Sequence, residues 1–562
     1  MKNDNATNKI AQDVLRRQSQ MFGMRAMWES LWWQIDQRVN PSPNCWFGNR
    51  PPQGAKWNMH LFDSTAGLAL DKFKAILESI LTPRNSKWHT LLTNAPALED
   101  DVEIQRYLDQ VNDILFKARY TPRANFASQM NEVYLSLGKF GTGCLFVDDV
   151  MGDGLRYKSI HLSELFISEN AYGIVDTIHR KFQYTARQAA EFFGIENLPE
   201  IILKSLDKAD TYDNKFDFIH AVQPNPDYNP KSQKLINFKF LSHYVCCASE
   251  EMVRSGGYNS MPYLVTRYYT ESNEVYGRGP ATFALPDIQT LNEMKKTILR
   301  QAQLAVDPPI MVSEDGVMQS FSMQPGALNY GYLNDQGIAQ AQPFQTGANF
   351  QVAELMITGQ EKIINDSFLV TLFQILSVDN PNMTATEVIQ RAQEKGMLLA
   401  PAMGRQQSEL LGPLIERELD ILARAGALPP MPQVMIDMQG GDDFKIQYES
   451  ELARSQKLGD AQAIVQTMGI VGQAAQMDPS VLNVFDTNKM VRKIAEINGV
   501  PADCIRSVEE VAAIQQQQAQ QQAMQQAMNN APQVASAAKD AAQAQQISQD
   551  SGQGKSIVPG LE

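Results

Sequence analysis

Side chains that could support metal or acid–base chemistry are scattered in this sequence. Its histidines are His60, His89, His161, His179, His220 and His243. Their spacing matches none of the ligand patterns typical of zinc sites. Cys246 and Cys247 are adjacent, and because neighbouring residues of a strand point to opposite faces, we do not expect them to bind one metal ion. The sequence therefore predicts structural histidines and no metal site.

Motifs that hold phosphates or nucleophiles are equally weak. Gly141-Thr142-Gly143 resembles part of a dinucleotide-binding loop, but a strand pattern follows it where that loop requires a helix. Gly554-Lys555-Ser556 resembles the end of a phosphate-binding loop, but Gln549 stands where its first glycine belongs. We find no nucleophile elbow and no histidine pair around a glutamate. We therefore predict no catalytic residue, no cofactor and no enzymatic activity.

The composition limits the class of protein. The chain has 562 residues, of which 43% are hydrophobic and 20% are charged, so several ordinary globular domains fit. The net charge of −14 disfavours simple tight binding of nucleic acid, which requires an excess of Lys and Arg. Five scattered cysteines indicate a reducing compartment. The polar N-terminus predicts no secretory signal, and no apolar run is long enough to cross a bilayer.

The most regular part of the chain, residues 276–426, predicts an architectural element. A helix begins at Gly279-Pro280, where proline is favoured, and ends at Asp307, because a residue before proline leaves helical geometry. A second helix is predicted from Asn349 to Ser377. At ~1.5 Å per residue each rod is about 40 Å long, which favours an antiparallel hairpin of equal helices. The apolar positions of the first rod recur at helical spacing: Leu285, Ile288, Leu291, Met294, Ile298, Ala302 and Ala305.

An insert, residues 307–348, is expected at the tip of this hairpin. It contains a predicted strand at Ile310–Val312 and a turn at Glu314-Asp315-Gly316. A short polar loop, residues 378–383, follows the second rod.

A third helix is predicted after that loop. A capping-box motif begins at Thr384, and the helical pattern runs to about Arg424. Pro401 and Pro413 are expected to kink this helix, because each removes a backbone hydrogen bond.

Residues 1–275 predict an α+β domain in which helices come first and a mostly antiparallel sheet follows. The predicted helices cover 10–39, 64–81, 98–118 and 124–138. Thr185 is expected to cap a further short helix that Gly194 ends. The predicted strands are Leu145–Val147, Tyr157–Ile167, Ile174–Tyr184, Phe216–Val222, Leu235–Val245 and Pro262–Tyr269.

Three tryptophans of the first helix, Trp28, Trp32 and Trp33, allow two interpretations. They could anchor a membrane surface, or they could pack in a core, which we favour because clustered tryptophans usually do so. Beyond the third helix the sequence predicts a strand at Asp443–Glu449 and helices at 452–476, 487–497 and 507–528. The last residues, 529–562, are rich in Gln and Ala and are predicted to be disordered.

The order of these elements, together with several local strings, resembles the portal (head-to-tail connector) proteins of short-tailed, podovirus-like bacteriophages. The likeness covers roughly residues 10–510. The strings that carry it are Tyr276-Gly277-Arg278-Gly279-Pro280, Leu285-Pro286-Asp287-Ile288 with Leu291-Asn292, Ala305-Val306-Asp307-Pro308-Pro309, Thr384-Ala385-Thr386-Glu387-Val388 with Arg391, Thr185-Ala186-Arg187-Gln188, and Arg25 with Trp28.

The resemblance implies a mainly helical α+β portal fold assembled as a ring, with twelve copies around double-stranded DNA at one capsid vertex. Residues 1–275 would be the wing, and residues 276–306 and 349–377 the two stem helices. Residues 307–348 would be the clip, whose Glu314, Asp315 and Gly316 would dock the packaging motor and tail. The remaining parts would be a tunnel loop nearest DNA (Val378, Asp379, Asn380, Pro381, Asn382 and Met383), a kinked spine helix of the wing (384–426), a crown (427–528) and the tail (529–562).

The resemblance also implies the partners: a terminase motor, major capsid and scaffolding proteins, tail adaptor proteins and the DNA that passes through. The protein would belong to the virion, would assemble in the host bacterial cytoplasm and would have no stable membrane contact. A strongly acidic ring would repel phosphates, as a conduit requires. The stem residues Lys295, Lys296 and Arg300 are the exception. They could form a weak basic ring facing DNA, or pair with acids of a neighbouring subunit, which we favour.

Two other classes of function compete with a portal. One is a membrane-associated virion protein that is delivered with the genome and anchored by the tryptophan-rich helix. The other is a nuclease, for which no residue in the sequence gives positive support.

Overall fold

The computed structural model describes most of the first 306 residues and several later segments. The described residues are 2–41, 46, 61–84, 86–94, 101–150, 154–229, 237–306, 310–312, 336, 341–343, 350–371, 403–433, 435, 444–448, 463–473, 486–497 and part of 510–522. The chain divides into two compact units. One comprises Met1–Asn94 and Gln110–Gln456, and the other comprises Ala95–Asp109 and Lys457–Glu562.

The predicted N-terminal helices are all present. The structure places α1 at Lys2–Arg38, α2 at Thr65–Leu81, α3 at Val102–Arg119 and α4 at Phe126–Phe140. Two of them depart from their predicted starts: α1 begins eight residues before residue 10, and α3 begins four residues after residue 98.

Further helices follow along the chain. They are α5 (Ala186–Phe193), α6 (Glu200–Leu206), α7 (Pro280–Val306), α8 (Phe350–Ser367) and α9 (Gly412–Arg424). Thr185 caps α5 as predicted: its hydroxyl accepts a hydrogen bond from Gln188 N–H, and the Gln188 side chain accepts one from Thr185 N–H. Helix α6 was not predicted.

The strands are β1 (His89–Thr93), β2 (Thr142–Val150), β3 (Gly154–Ser159), β4 (Leu165–Glu169), β5 (Val175–Thr185), β6 (Lys215–Pro224), β7 (Phe240–Cys246), β8 (Glu251–Tyr258), β9 (Tyr263–Arg267), β10 (Ile310–Val312), β11 (Ala341–Pro343) and β12 (Phe444–Tyr448). They form a five-stranded sheet in the order β4-β5-β6-β7-β8, a three-stranded sheet β3-β2-β9, and the pairs β1-β12 and β10-β11. Every pair of described strands is antiparallel, as the sequence predicted.

The single strand predicted at Tyr157–Ile167 is wrong, because the structure divides it into β3 and β4. A 3₁₀ turn at Leu162–Glu164 separates the two strands. The guanidinium of Arg25, on α1, donates hydrogen bonds to the backbone oxygens of Leu162, Ser163 and Leu165 at 2.6–3.0 Å. A buried cation thus satisfies carbonyls that a continuous strand would have paired in a ladder.

The predicted strand Leu235–Val245 is also displaced. Strand β7 occupies Phe240–Cys246, and residues 230–236 lie outside the described ranges. Strands β1, β8, β11 and helix α6 were missed.

The five-stranded sheet is covered on both faces. On one face, α5 and α6 pack Phe193 and Ile202 against Phe182 and Phe218. On the other face, α1 packs Val14 against Ile219, Ala221 and Val245. Alternate residues of β6 therefore contribute to different cores, which explains why its sequence is apolar on both faces.

The tryptophans of α1 pack in the core between α1 and the two larger sheets. Trp32 is completely buried and Trp28 is partly buried beside it. Trp32 lies 5.1 Å from the ring of Tyr276 and 5.3 Å from that of Trp46. The prediction of a packing role is confirmed for these two residues, whereas Trp33 is 37% exposed. Within the described ranges, no helix combines the length and the apolar character that a membrane span requires.

The C-terminal elements agree with their predicted places where they are described. Strand β12 lies within the predicted Asp443–Glu449, helix 463–473 lies within 452–476, and Thr487–Ile497 matches 487–497. The described residues of 510–522 are helical. The predicted tail, 529–562, lies outside the described residues.

Candidate channel and docking elements

The first rod of the predicted hairpin is α7, whose 27 residues begin at Pro280 and end at Val306 as expected. Thr282 N–H donates to the carbonyl of Gly279 at 2.9 Å, which closes the first turn. Leu285, Ile288 and Leu291 are buried on the predicted face.

The second rod is interrupted within its predicted length. Helix α8 has 18 residues and ends at Ser367, ten residues before the predicted end at Ser377. It ends there because Leu369 adopts a left-handed conformation with φ of 61°, while Phe368 and Val370 on either side are buried. The Phe368 ring lies 6.3 Å from Phe73 of α2 in an edge-on arrangement. Burial of these side chains outweighs an unbroken helix at residues 368–369. Residues 370–371 are helical again, and 372–377 lie outside the described residues, so the equal length of the two rods stays a prediction.

A short strand pair joins the far ends of the two rods. Ile310–Val312 forms β10, as predicted, and it pairs with β11, Ala341–Pro343. Because β10 follows α7 by a few residues and β11 precedes α8, α7 and α8 run antiparallel. The predicted docking residues Glu314, Asp315 and Gly316 lie outside the described residues.

The predicted tunnel loop also lies outside the described residues. It comprises Val378, Asp379, Asn380, Pro381, Asn382 and Met383. The capping box at Thr384 and the predicted kink at Pro401 fall outside them as well.

Lys295 joins three helices within one chain. Its ammonium donates to Asp63 Oδ1 at 2.6 Å and to Glu361 Oε1 at 2.7 Å. Asp63 also accepts hydrogen bonds from Thr65 N–H and Oγ1 at the start of α2. Partial burial opposes the charge of Lys295, but the hydrogen bonds to Asp63 and Glu361 raise its pKa above the ordinary value.

The other two basic residues of α7 differ from Lys295. Lys296 pairs with Glu293 one turn earlier, at 2.9 Å. Arg300 is exposed and makes no ion pair with any residue that the structure describes. Of these three cations of α7, Lys295 and Lys296 therefore pair with acids of their own chain. Arg300 has no such partner among the described residues.

The third helix contains an irregular turn just before Pro413. Residues 403–406 are α-helical, Gln407–Leu411 form a π-helical turn, and α9 follows. Gly412 N–H donates to the carbonyl of Gln407, which also accepts a hydrogen bond from Tyr448 Oη at 3.1 Å. The predicted disturbance at Pro413 thus takes the form of one widened turn, as is common where a proline interrupts the helical ladder. Helix α9 ends at Arg424, as predicted.

Comparison with known proteins identifies the family. A family model described as "Bacteriophage head to tail connecting protein" matches residues 11–505. The chain belongs to this family. It is 29% identical to a probable portal protein of Bordetella phage BPP-1 over 515 residues, 90% of each chain. It is 27% identical to the portal protein of Salmonella phage epsilon15 over 545 residues, 95% of each chain. The resemblance predicted from the sequence is confirmed.

A buried ion pair joins the third helix of this head-to-tail connecting protein to α3. Arg119, at the end of α3, donates two hydrogen bonds to Glu418 of α9 at 3.0 and 2.5 Å, and neither side chain is exposed. Tyr157 Oη of β3 donates to Glu418 at 2.6 Å. His89 Nε2 accepts from Arg119 Nη1 at 3.0 Å, so this imidazole is neutral. Burial, with Arg119 and Lys87 nearby, lowers the pKa of His89 to about 2.

A second group of charged residues fastens the π-helical turn of the connecting protein. Arg267 of β9 donates to Glu409 at 2.7 Å and also contacts Glu169 of β4. Gln406 accepts from Thr266 Oγ1 at 2.6 Å and donates to the carbonyl of Arg267 at 3.0 Å. The third helix is therefore held against β9 by side chains that sequence inspection did not single out. The sequence signal for this contact was the spacing of Gln406 and Glu409, which places both on one face of the predicted third helix.

The string Tyr276–Pro280, which carried much of the resemblance, lies against the end of α4. Gly141 has φ of 79° and closes α4. A Cβ added at Gly277 would lie 2.3 Å from the carbonyl oxygen of Gly141, and one added at Gly279 would lie 2.7 Å from Gly141 N. Close backbone contact, and not phosphate binding, therefore accounts for glycine at these positions.

Four of the described histidines, His89, His179, His220 and His243, are buried, and His161 is exposed; all five are hydrogen-bonded. His220 contacts Tyr263 Oη at 2.7 Å and Ser242 Oγ at 2.9 Å, and burial together with Arg180 holds its pKa well below the ordinary value. In the part of the chain that the structure describes, no three His, Cys, Asp or Glu side chains are grouped so as to hold a metal ion.

Proposed function

We propose that this chain is the portal protein of a short-tailed bacteriophage. Twelve copies form a ring at one capsid vertex, and double-stranded DNA is packaged and ejected through its centre. The family match over residues 11–505 carries the proposal, and two portal proteins align with at least 90% of the chain.

The antiparallel pair of α7 and α8 is the proposed stem. The pair β10-β11 at its far end is the base of the proposed clip, residues 307–348, on which the packaging motor and later the tail dock through Glu314, Asp315 and Gly316. Residues 1–275 are the proposed wing, residues 384–426 its spine helix, residues 427–528 the crown and residues 529–562 a disordered tail. The buried pair of Arg119 and Glu418 supports assigning the spine helix to the wing.

We propose that the channel attracts the phosphates of DNA only weakly, so that the duplex can slide through it. The chain carries a net charge of −14, and phosphates are held mainly by Lys and Arg. Lys295 and Lys296 are paired with acids of their own chain, so they offer little attraction to a passing duplex. The loop at 378–383, which has Asp379 and neither Lys nor Arg, is the segment proposed to lie nearest DNA.

A structural role without catalysis follows from this proposal. The hydrolysis that drives packaging belongs to the terminase motor, and the further partners are the major capsid, scaffolding and tail adaptor proteins. The protein resides in the virion after assembly in the host bacterial cytoplasm. The burial of Trp28 and Trp32 weakens the alternative of a membrane-anchored virion protein.

Negative-stain electron microscopy of the purified full chain tests the proposal. We expect rings with a central hole wide enough for a DNA duplex. Particles that stay monomeric at high concentration, or assemblies with solid centres, would contradict it. Flotation with liposomes tests the membrane alternative, since ring particles should remain in the lower fraction.

A further inference from the structure

Helix α8 is apolar on two opposite faces. On its inner face Ile364 is completely buried, and so is Phe368 directly after the end of the helix. On its outer face Leu355, Gly359 and Ile363 recur every four residues, and Leu355 is 77% and Ile363 is 45% exposed. A helix at the surface of a globular unit normally has one apolar stripe. A second stripe indicates that another surface covers the outer face of α8.

Helix α7 presents a more polar face on the other side of the hairpin. Glu293, Thr297, Arg300 and Leu304 recur at spacings of four, three and four residues, so they lie on one stripe. Glu293 is two residues from Lys295, which contacts α8, and at about 100° per residue it points away from that helix. The Glu293 side chain is 64% exposed.

The ion pair of Lys295 and Glu361 sets the relative height of residues on the two antiparallel helices. Glu293 lies two residues from Lys295, and Lys362 lies one residue from Glu361, both toward the same end of the hairpin. At ~1.5 Å per residue their heights therefore differ by about 1.5 Å. Lys362 is exposed and makes no ion pair with a residue of the described ranges. Glu293 on the outer face of α7 and Lys362 on the outer face of α8 thus lie at nearly the same height along the hairpin, on opposite sides of it.

We propose that the outer face of α8 in one copy packs against the outer face of α7 in the next copy, with Lys362 and Glu293 paired across the contact. The two faces differ and lie on opposite sides of the hairpin, which is the arrangement that a head-to-tail ring needs and a two-fold dimer does not use. A rotation about an axis along the hairpin preserves height, so it brings these charges together. This inference rests on the proposed ring and identifies the surface that closes it.

Charge reversal in separate chains tests the contact. In Glu293→Lys alone, the introduced lysine would meet Lys362 of the next copy at every contact. In Lys362→Glu alone, two glutamates would meet. We expect each variant to give a severalfold lower ring fraction than the wild type in negative-stain images at low salt. An isolated surface ion pair is weak, but the repulsion recurs at every contact around the ring.

An equimolar mixture of the two variants should restore rings, because alternating chains then place Lys opposite Glu at each contact. The double variant E293K/K362E should also form rings. Recovery on mixing requires contact between chains, so it distinguishes this pair from one within a chain. Lys296→Gln, which removes only the partner of Glu293 in its own chain, is the matched control and should leave the ring fraction unchanged.

The outcomes separate this inference from the proposed function. If the wild type forms no rings, the portal proposal fails. If the wild type forms rings, but the reversed variants assemble normally or the mixture does not recover, the assignment of Glu293 and Lys362 is wrong while the portal proposal stands. Thermal unfolding of each variant confirms that the monomer is folded.

Discussion

Arg119 and Glu418 form a doubly hydrogen-bonded ion pair from which water is excluded, although they are 299 residues apart in the sequence. The guanidinium lies 4.5 Å from the centre of the Trp88 ring and 5.0 Å from that of Phe116. Removing one partner of such a pair leaves a buried charge without compensation, which is far more costly than losing an exposed pair.

Glu418→Gln should therefore lower the free energy of unfolding by about 3–5 kcal/mol. The amide retains the shape of the carboxylate but leaves Arg119 charged and buried. Denaturant unfolding measures the change. Glu200→Gln, which breaks the exposed pair with Lys204, is the control and should have little effect. Equal effects of the two substitutions would mean that Glu418 is solvated.

Much of the fold could be predicted because the local signals agreed with the tertiary structure. Pro280 at the start of α7, the capping box at Thr185 and the periodicity of the first rod each gave the correct element. The portal resemblance depended on these elements and on the glycine string. The structure explains the glycines by close packing on Gly141.

The remaining features depend on contacts distant in sequence, which local patterns do not reveal. The end of α8 at Ser367 follows from packing of Phe368 on Phe73, and the break between β3 and β4 follows from Arg25. Strand β1 was missed because its partner, β12, lies more than 350 residues later. The intrachain acids of Lys295 were missed because Asp63 precedes α2 and Glu361 lies on α8, both distant from Lys295 in the sequence.

The neutral His89 predicts how stability changes with acid. Its pKa is about 2 in the folded chain and about 6.5 when unfolded, so between these values the unfolded chain binds one more proton. Stability therefore falls as pH drops below 6.5, by about 1.4 kcal/mol per pH unit for this residue. His89→Gln keeps an acceptor for Arg119 and should remove that part of the slope. Chemical unfolding from pH 6.5 to 4.5 gives the comparison, and parallel curves for the two proteins would refute the prediction.

Gly279 should tolerate no side chain. Gly279→Ala places a Cβ 2.7 Å from both Gly141 N and the carbonyl oxygen of Leu137, and these backbone atoms cannot move aside easily. We expect a loss of about 1–3 kcal/mol from overpacking. Gly256→Ala, at a position with no atom within 4 Å, is the control. Thermal unfolding of both variants tests this, and a neutral Gly279→Ala would contradict the close contact.

Glycine should be more stable than alanine at position 369. Its φ of 61° is a left-handed conformation that costs roughly 1–2 kcal/mol for a residue with a Cβ, whereas glycine adopts it freely. Leu369→Gly and Leu369→Ala both lose the packing of this half-buried side chain, and only alanine keeps the Cβ that strains the left-handed conformation, so the free energy of unfolding should be about 1 kcal/mol higher for the glycine variant than for the alanine variant. If α8 instead continued through this position as a helix, glycine would be less stable than alanine by about 1 kcal/mol, so the sign of the difference in melting temperature between the two variants decides between a broken and a continuous helix.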